Sequence, residues 1–247
     1  MEQSQLAVNA AALAAQMILE CSGEIYRAEE TAIRMCEAYG LINAEIICFP
    51  TGFMMHVLTA DGQSLTRIKR VRDRNIQLQA LDSVNSISRL SCEGLLTPQE
   101  AFDALQVLRD TPKTPSLFII LAFASSAGFS SVMFGGGFPE FILAFVAGGS
   151  SQALIPLFIK LHVPSLLISM MAGFIAAITT LGLISLFGGS QEAIIAGAIM
   201  PLLPGLAMTN AIRDTMRGDL IAGMARTTDA LLSAVLIAAG VTVALML

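Results

Sequence analysis

Asn210, Arg213, Asp214 and Arg217 place an amide, a carboxylate and two guanidiniums within one short stretch of chain. On a helix, Asn210, Asp214 and Arg217 fall at i, i+4 and i+7, with Arg213 at i+3 from Asn210. At those spacings helical side chains become neighbours. A guanidinium presents a rigid fork of donors that matches a carboxylate, so Arg213 is suited to hold an anionic solute. Asp214 could either hold Arg213 in place or take up a proton. Just upstream, in a hydrophobic run, stand Pro201, Pro204 and Gly205. Proline lacks an amide hydrogen and clashes with the carbonyl four residues back, so a helix here is expected to leave the Gly197 and Met200 carbonyls without their usual partners. Exposed backbone at membrane depth is tolerated only against protein or a watery cavity, and broken spans form binding sites in many transporters. The prolines taken alone could equally mark a kink that only packs. Together with the polar face, Pro201, Pro204, Gly205, Asn210, Arg213, Asp214 and Arg217 form a candidate site for binding and passage.

The elements that position these residues are membrane elements. The 247-residue chain is 55% hydrophobic and only 13% charged, with a mean hydropathy of +0.72, against roughly 25% charged in soluble domains. The charge is uneven. Up to Asp110 there are nine Lys/Arg against fourteen Asp/Glu, and beyond it five against five in a far more apolar stretch. Two domains are expected: an α+β segment over 1–110 and a transmembrane domain over 116–247. A linker over 111–115 would carry Pro112 and Pro115.

In the first domain, Leu6, Ala10, Leu13 and Met17 recur at helical spacing and predict a helix over 6–20 with one buried face. A leader peptide is not expected there, because Glu2 rather than a cation precedes the apolar run. A second helix is expected over 24–39, ending at Gly40. Runs at 45–49, 53–59 and 65–71, separated by Pro50-Thr51-Gly52 and Asp61-Gly62, predict a small antiparallel meander. Helices are expected over 75–90 and from Thr97 to Asp110, the latter opened by Thr97-Pro98-Gln99-Glu100, a capping box with proline at the first position. Cys21, Cys36, Cys48 and Cys92 show no C-x-x-C spacing and are expected to be reduced, buried thiols. Arg67, Lys69, Arg70, Arg72 and Arg74 form a basic run. With no aromatic stacking pattern beside it, solvent or lipid headgroups suit it better than nucleic acid.

Five spans are expected in the second domain: 116–134, 139–159, 164–187, 192–210 and 229–247, each near the roughly 20 residues that cross a bilayer. Lys113, Lys160, and Arg213 with Arg217 and Arg226 occupy alternate connectors, while 135–137 and 188–191 hold no cation. The positive-inside rule then places the N-terminal domain in the cytoplasm and the C-terminus outside. Runs such as Ser125-Ser126-Ala127-Gly128 and Gly148-Gly149-Ser150-Ser151 suit close helix packing in lipid.

Hydrolytic chemistry would need a paired Ser/His, an Asp/Asp or a metal-ligand set within the spans. The only histidines are His56 and His162, and no P-loop or dinucleotide fingerprint is present. No enzyme activity, cofactor or metal is expected. Glu140 and Glu192, at span starts, suit helix caps better than a proton relay.

The run Pro204-Gly205 through Asn210-Ala211-Ile212-Arg213-Asp214, Gly218-Asp219 and Gly223-Met224-Ala225-Arg226 resembles the threonine/serine exporter (ThrE-like) family. So does Gly23-Glu24-Ile25-Tyr26-Arg27-Ala28-Glu29. The resemblance covers essentially the whole chain. By length the chain is similar to the larger, YjjP-like subunit of the split form, half of a bacterial two-component succinate exporter. The resemblance implies an α-helical polytopic protein of the bacterial inner membrane that exports a small carboxylate, either a succinate-like dicarboxylate or threonine and serine. It also implies a smaller, all-membrane partner subunit. Membrane lipid, from the spans and the basic run, and a proton, from the second role open to Asp214, are further expected partners. A second expectation is a regulatory subunit, in which a pocket lined by Glu24, Tyr26, Arg27 and Glu29 senses a ligand while the partner conducts.

Overall fold

The computed structural model describes residues 2–72, 74–111 and 114–247. Pro112 and Lys113, which carry part of the expected linker and one of the connector charges, lie outside the described residues. The chain opens with α1 (Glu2–Glu20) and α2 (Ile25–Ala38), then β1 (Ile42–Phe49), β2 (Gly52–Leu58) and β3 (Ser64–Arg70), followed by α3 (Leu78–Cys92) and α4 (Pro98–Asp110). The helical spacing of Leu6, Ala10, Leu13 and Met17 predicts one buried face for α1, but α1 is buried on every side from Ala10 to Leu19. The Ala10–Ala15 run carries small side chains all round, so neighbours approach from each direction and no polar residue keeps a face wet.

α2 ends as its glycine predicts. Gly40 takes φ +73°, and Leu41 N–H donates to the Cys36 carbonyl at 3.0 Å, five residues back, a pattern that satisfies the last carbonyls of the helix. The three strands form the expected antiparallel meander in the order β1-β2-β3. Cys48, Phe53, Met55 and Val57 are buried, while Ile47, Met54 and Ile68 align across the three strands on the exposed face. The capping box of α4 is present, with Thr97 N–H donating to Glu100 Oε2 at 2.8 Å. The described structure contains no disulfide among the four thiols. Cys21, Cys36 and Cys48 are buried, but Cys92, at the end of α3, is exposed, contrary to expectation. Burial pushes the Cys36 thiol up to about 12 and the Cys21 thiol up to about 11, so both stay protonated.

α5 (Ser116–Met133), α6 (Phe138–Lys160) and α7 (Ser165–Phe187) follow, then α8 (Gln191–Ile199) with a 3₁₀ turn over Met200–Leu202, α9 (Gly205–Met216) and α10 (Leu220–Leu245). Four of these (α5, α6, α7 and α10) are long and apolar enough to cross a membrane. A fifth span results if α8, its 3₁₀ turn and α9 are one broken span. α10 begins at Leu220, nine residues ahead of the span expected from hydropathy, because its first turns carry polar residues that an apolar window rejects. The break falls at Leu203, which is extended (φ −65°, ψ 137°), as a residue before proline must tend to be. The two carboxyl-side carbonyls do not go unsatisfied. Met200 N–H donates to Gly197 O, and Leu203 N–H donates to Met200 O at 3.2 Å, so tighter 3₁₀ bonds replace the lost α-helical ones. Pro156, by contrast, sits inside an unbroken α6.

The described chain falls into two compact units that do not follow its sequence order. Met1–Pro112 joins Leu206–Thr227 in the first, and Lys113–Gly205 joins Thr228–Leu247 in the second. The second unit is packed through small residues. A Cβ added to Gly197 would stand 2.6 Å from Ser131 N, and one on Gly173 would stand 2.5 Å from the Ile237 carbonyl. Ser150 and Thr179 hydroxyls meet at 3.2 Å between α6 and α7. Glu140 acts as a cap, accepting from Gly137 N–H at 2.8 Å and Ser190 N–H at 3.3 Å.

Candidate functional site

The first unit gathers the charged face of α9 onto the turn between α1 and α2. That turn is tight because Ser22 takes φ +60° and Gly23 packs where a Cβ would meet Ile18 Cγ2 at 2.7 Å. The turn leaves the Ser22 and Gly23 carbonyls and the first amides of α2 in need of partners. Its residue preceding α2, Glu24, makes no side-chain cap. The cap comes from far along the chain: Asp214 Oδ1 accepts the Ile25 N–H at 3.2 Å. A carboxylate at a helix N-terminus is favoured by the amide dipoles there.

Asp214 is fully buried, and its Oδ2 lies 3.2 Å from Nε of the buried Arg226. The two face one another without the alignment of a directed hydrogen bond. Arg226 Nη2 donates to the Gly23 carbonyl at 2.6 Å and its Nη1 to the Ser22 carbonyl at 3.4 Å. Asn210 Nδ2 donates to the same Ser22 carbonyl at 3.0 Å. Asn210, Asp214 and Arg226 therefore complete the polar groups that the α1–α2 turn leaves open.

Arg213 and Arg217 make a different set of contacts. Arg213 Nη1 donates to Glu24 Oε1, whose other oxygen accepts from Arg27 Nη1 at 3.3 Å. Arg217 lies over the Tyr26 ring, 4.2 Å from its centroid, within cation–π range. The expectation that Asp214 holds Arg213 is not what the structure shows. Adjacent residues on a helix point in different directions, so Asp214 turns to Arg226 and Arg213 turns to Glu24. Glu24 is buried whereas Arg213 keeps 49% of its side chain exposed. Burial pushes the Glu24 carboxyl up, but its own backbone amide and the Arg213 and Arg27 guanidiniums outweigh this and hold it below its usual range. Glu29 goes the other way. Burial, with repulsion from Asp219 and Asp214, raises it despite the Cys48 N–H that it accepts at 2.8 Å.

Of the residues singled out from sequence, the structure thus brings Asn210, Arg213, Asp214 and Arg217 together with Glu24, Tyr26 and Arg27. Pro201 lies half-buried in the 3₁₀ turn, Pro204 is half-buried at the break, and Gly205 is exposed. These three belong to the second unit. Sequence reasoning missed Arg226 as a member of the site. It lies on the far side of a turn made by Gly218 (φ +96°), and helical spacing cannot be counted through a reversal. The signal available was its charge, a lone cation after the apolar opening run 220–225 of α10.

α9 presents the reverse of an ordinary surface helix. Asn210 and the buried Asp214 face the unit, while Leu206, Ile212 and Met216 are exposed. The basic run also divides. Arg67 Nε donates to Asn9 Oδ1 at 3.1 Å, while Lys69, Arg70 and Arg72 are exposed. Among the described residues, no group of three or more His, Cys, Asp or Glu is gathered to hold a metal ion.

Four to five membrane-length helices among the described residues define a multi-pass helical membrane protein. Residues 9–247 match the family described as "Putative threonine/serine exporter" (ThrE), and the chain belongs to that family. Over 219 residues it is 24% identical to a "Probable threonine/serine exporter" of Mycobacterium tuberculosis, covering 87% of this chain and 41% of that one. The chain therefore spans about two fifths of that relative's length. Over 234 residues it is 24% identical to the "Probable succinate transporter subunit YjjP" of Escherichia coli, covering 92% of this chain and 89% of that one. No solved structure matches.

Proposed function

We propose that this chain is a subunit of a secondary exporter of small carboxylates in the bacterial inner membrane, working with a smaller, all-membrane partner subunit. Family membership supports export of a small solute. The name of the Escherichia coli relative, aligned over most of both chains, supports a subunit role. The two relatives' names point to different solutes, a dicarboxylate and hydroxy amino acids, and the chemistry they share is a carboxylate.

The observation that carries the reading is Arg213. It is a half-exposed guanidinium in the last turn of α9, the helix that follows the break at Leu203 and Pro204, and its partner is a carboxylate. In this reading Arg213 takes the solute's carboxylate, Arg217 adds a second positive charge, and Asn210 and Asp214 fix α9 against the α1–α2 turn. Pro201, Pro204 and Gly205 belong to the break that precedes α9, a feature that forms binding sites in many transporters. The exposed apolar residues of α9 suit a cover of lipid or of the partner subunit. The alternation of connector cations supports a cytoplasmic N-terminal domain and an outside C-terminus.

The test is efflux of succinate and of threonine from loaded proteoliposomes under an imposed pH gradient, with this chain alone and with the smaller subunit. Efflux that requires both chains and falls in Arg213→Ala, with the variant still inserted, is the expected result. Efflux undiminished by Arg213→Ala would remove Arg213 from the site.

One observation favours a second reading, a sensor subunit: Glu24, Tyr26 and Arg27 of the cluster all come from the N-terminal segment. Removing 1–110 would strip Asp214 and Arg226 of their backbone partners at Ser22, Gly23 and Ile25, so point changes discriminate better than truncation. A sensor predicts that Tyr26→Ala alters the rate set by the partner without altering which solute is moved.

A further inference from the structure

The charged cluster contains two ion pairs that differ in whether they can open. Asp214 and Arg226 are both buried, at 0% and 7% side-chain exposure. Separating them would leave a buried charge unmatched, which is strongly disfavoured. Their other bonds, to Ile25 N–H and to the Ser22 and Gly23 carbonyls, tie them to backbone that cannot leave. This pair is fixed.

Glu24 and Arg213 are held differently. Glu24 divides its two oxygens between two arginines, Oε1 to Arg213 and Oε2 to Arg27. If Arg213 withdraws, Glu24 keeps Arg27 and is not stranded. Arg213 itself is half exposed, so on parting from Glu24 it meets solvent or a solute rather than a dry interior. Glu24 is also released from helix capping, because Asp214 performs that task on Ile25. The structure therefore leaves one carboxylate and one guanidinium side by side, each able to take a new partner.

A solute inserted into an opened Glu24–Arg213 pair must offer a negative group to Arg213 and a positive group to Glu24. A zwitterionic α-amino acid does so with its carboxylate and ammonium. A dicarboxylate offers a second negative charge to Glu24, and like charges at close range repel. With Glu24 neutral, the same position would face Arg27 and Arg213, two cations suited to a dianion. Resting on the carboxylate-exporter reading above, we propose that Glu24 is the specificity-determining residue of this site: it selects a zwitterionic amino acid over a dicarboxylate by pairing with the solute's ammonium group.

The experiment is ligand-induced thermal stabilisation of the full-length chain in lipid nanodiscs, with L-threonine and succinate as separate titrants. It is run on the wild type, Glu24→Gln, Glu24→Asp and Arg213→Gln. The expected result is preference for L-threonine in the wild type. Glu24→Gln should weaken L-threonine and tighten succinate by about tenfold or more each, as for loss of a charge-assisted bond and of a repulsion. Glu24→Asp keeps the charge on a side chain one methylene shorter, and is expected to keep the preference. Arg213→Gln should weaken both ligands.

A threonine-to-succinate ratio unchanged in Glu24→Gln, while Arg213→Gln loses both, overturns the role of Glu24 and leaves the carboxylate site standing. Loss of preference in Glu24→Asp also overturns charge selection, and decides the matter if Glu24→Gln does not fold. Binding of both ligands unaltered by Arg213→Gln overturns the site itself. Binding of neither ligand by the wild-type chain overturns both.

Discussion

Asp214 accepts the backbone N–H of Ile25 at 3.2 Å, across 189 residues of sequence. That bond caps the start of α2 with a carboxylate carried by α9. The same carboxylate, through Arg226, also satisfies the carbonyl ends left by the α1–α2 turn. The two segments that most resemble the exporter family, one near each end of the chain, are thus halves of one polar lock.

Breaking that lock from one side should be costly. Asp214→Ala leaves Arg226 buried without a counter-charge and Ile25 N–H without its acceptor, a loss of about 3–5 kcal/mol by analogy with other buried pairs. Thermal unfolding of the full chain in detergent should show a large fall in midpoint. The double change Asp214→Leu with Arg226→Met removes both charges and should recover part of it, because a well-packed apolar pair avoids the desolvation cost. A double variant no better than Asp214→Ala would mean that the backbone bonds, not the charge pair, dominate.

Glu24 and Glu29 should respond to acid with opposite signs. The Glu24 carboxyl is held below its unfolded value, so its contribution is present above that value and is lost as pH falls through the lower folded one. Glu24→Gln should therefore unfold earlier than wild type at neutral pH, with the gap closing at strongly acid pH. The Glu29 carboxyl is held above its unfolded value, so its charged form disfavours the fold at neutral pH, and this cost disappears as pH falls through the raised value to the unfolded one. Glu29→Gln, whose amide oxygen can still accept the Cys48 N–H, should raise the midpoint near neutral pH and lose that advantage in acid. Midpoints measured across the acid range for the two variants check both signs.

The fold was legible where local chemistry decides it. Thr97-Pro98-Gln99-Glu100 reads as a helix start and forms one, Gly40 ends α2 with positive φ, and Asp61-Gly62 turns β2 into β3. Pro204 announced the break that follows α8, whereas Pro156, the same residue type, interrupts nothing. What the pattern does not carry is long-range pairing. Asn210, Arg213, Asp214 and Arg217 could be seen to share a helix, but not that Asp214 and Arg213 serve different partners, since that depends on the α1–α2 turn far away in sequence. Arg226 escaped notice because the Gly218 reversal resets the helical phase between it and Asp214. The all-round burial of α1 was hidden by alanine, which is neither clearly inside nor clearly outside in an amphipathic count.

Orientation can be read with a natural probe. Cys92 is the exposed thiol, while Cys21, Cys36 and Cys48 are buried, and burial raises the Cys21 and Cys36 thiols to about 11 and about 12. A membrane-impermeant maleimide should therefore modify Cys92 alone. If the N-terminal domain is cytoplasmic, inverted inner-membrane vesicles should label and intact spheroplasts should not. The reverse pattern would turn the topology over, and Cys92→Ser should abolish the signal in either case.

Two glycines of the second unit should answer alanine with opposite signs. At Gly240 on α10, an added Cβ runs into the Met170 carbonyl and stands 2.8 Å from the Phe174 amide of α7. Both are backbone atoms, which cannot rotate away. The crossing is reciprocal, since Gly173 on α7 faces the Ile237 carbonyl of α10, so relief would require the two backbones to move apart and give up this close packing. Close approach of this kind is what holds helices together in lipid, and Gly240→Ala should cost about 1–3 kcal/mol as overpacking. Gly182, inside α7, has nothing within 4 Å of its added Cβ. There alanine adds helix propensity without a clash, worth about 0.5–1 kcal/mol. Unfolding in mixed micelles should therefore rank Gly182→Ala above wild type and wild type well above Gly240→Ala. Equal stability of the two variants would show that α7 and α10 are not pressed together at Gly240.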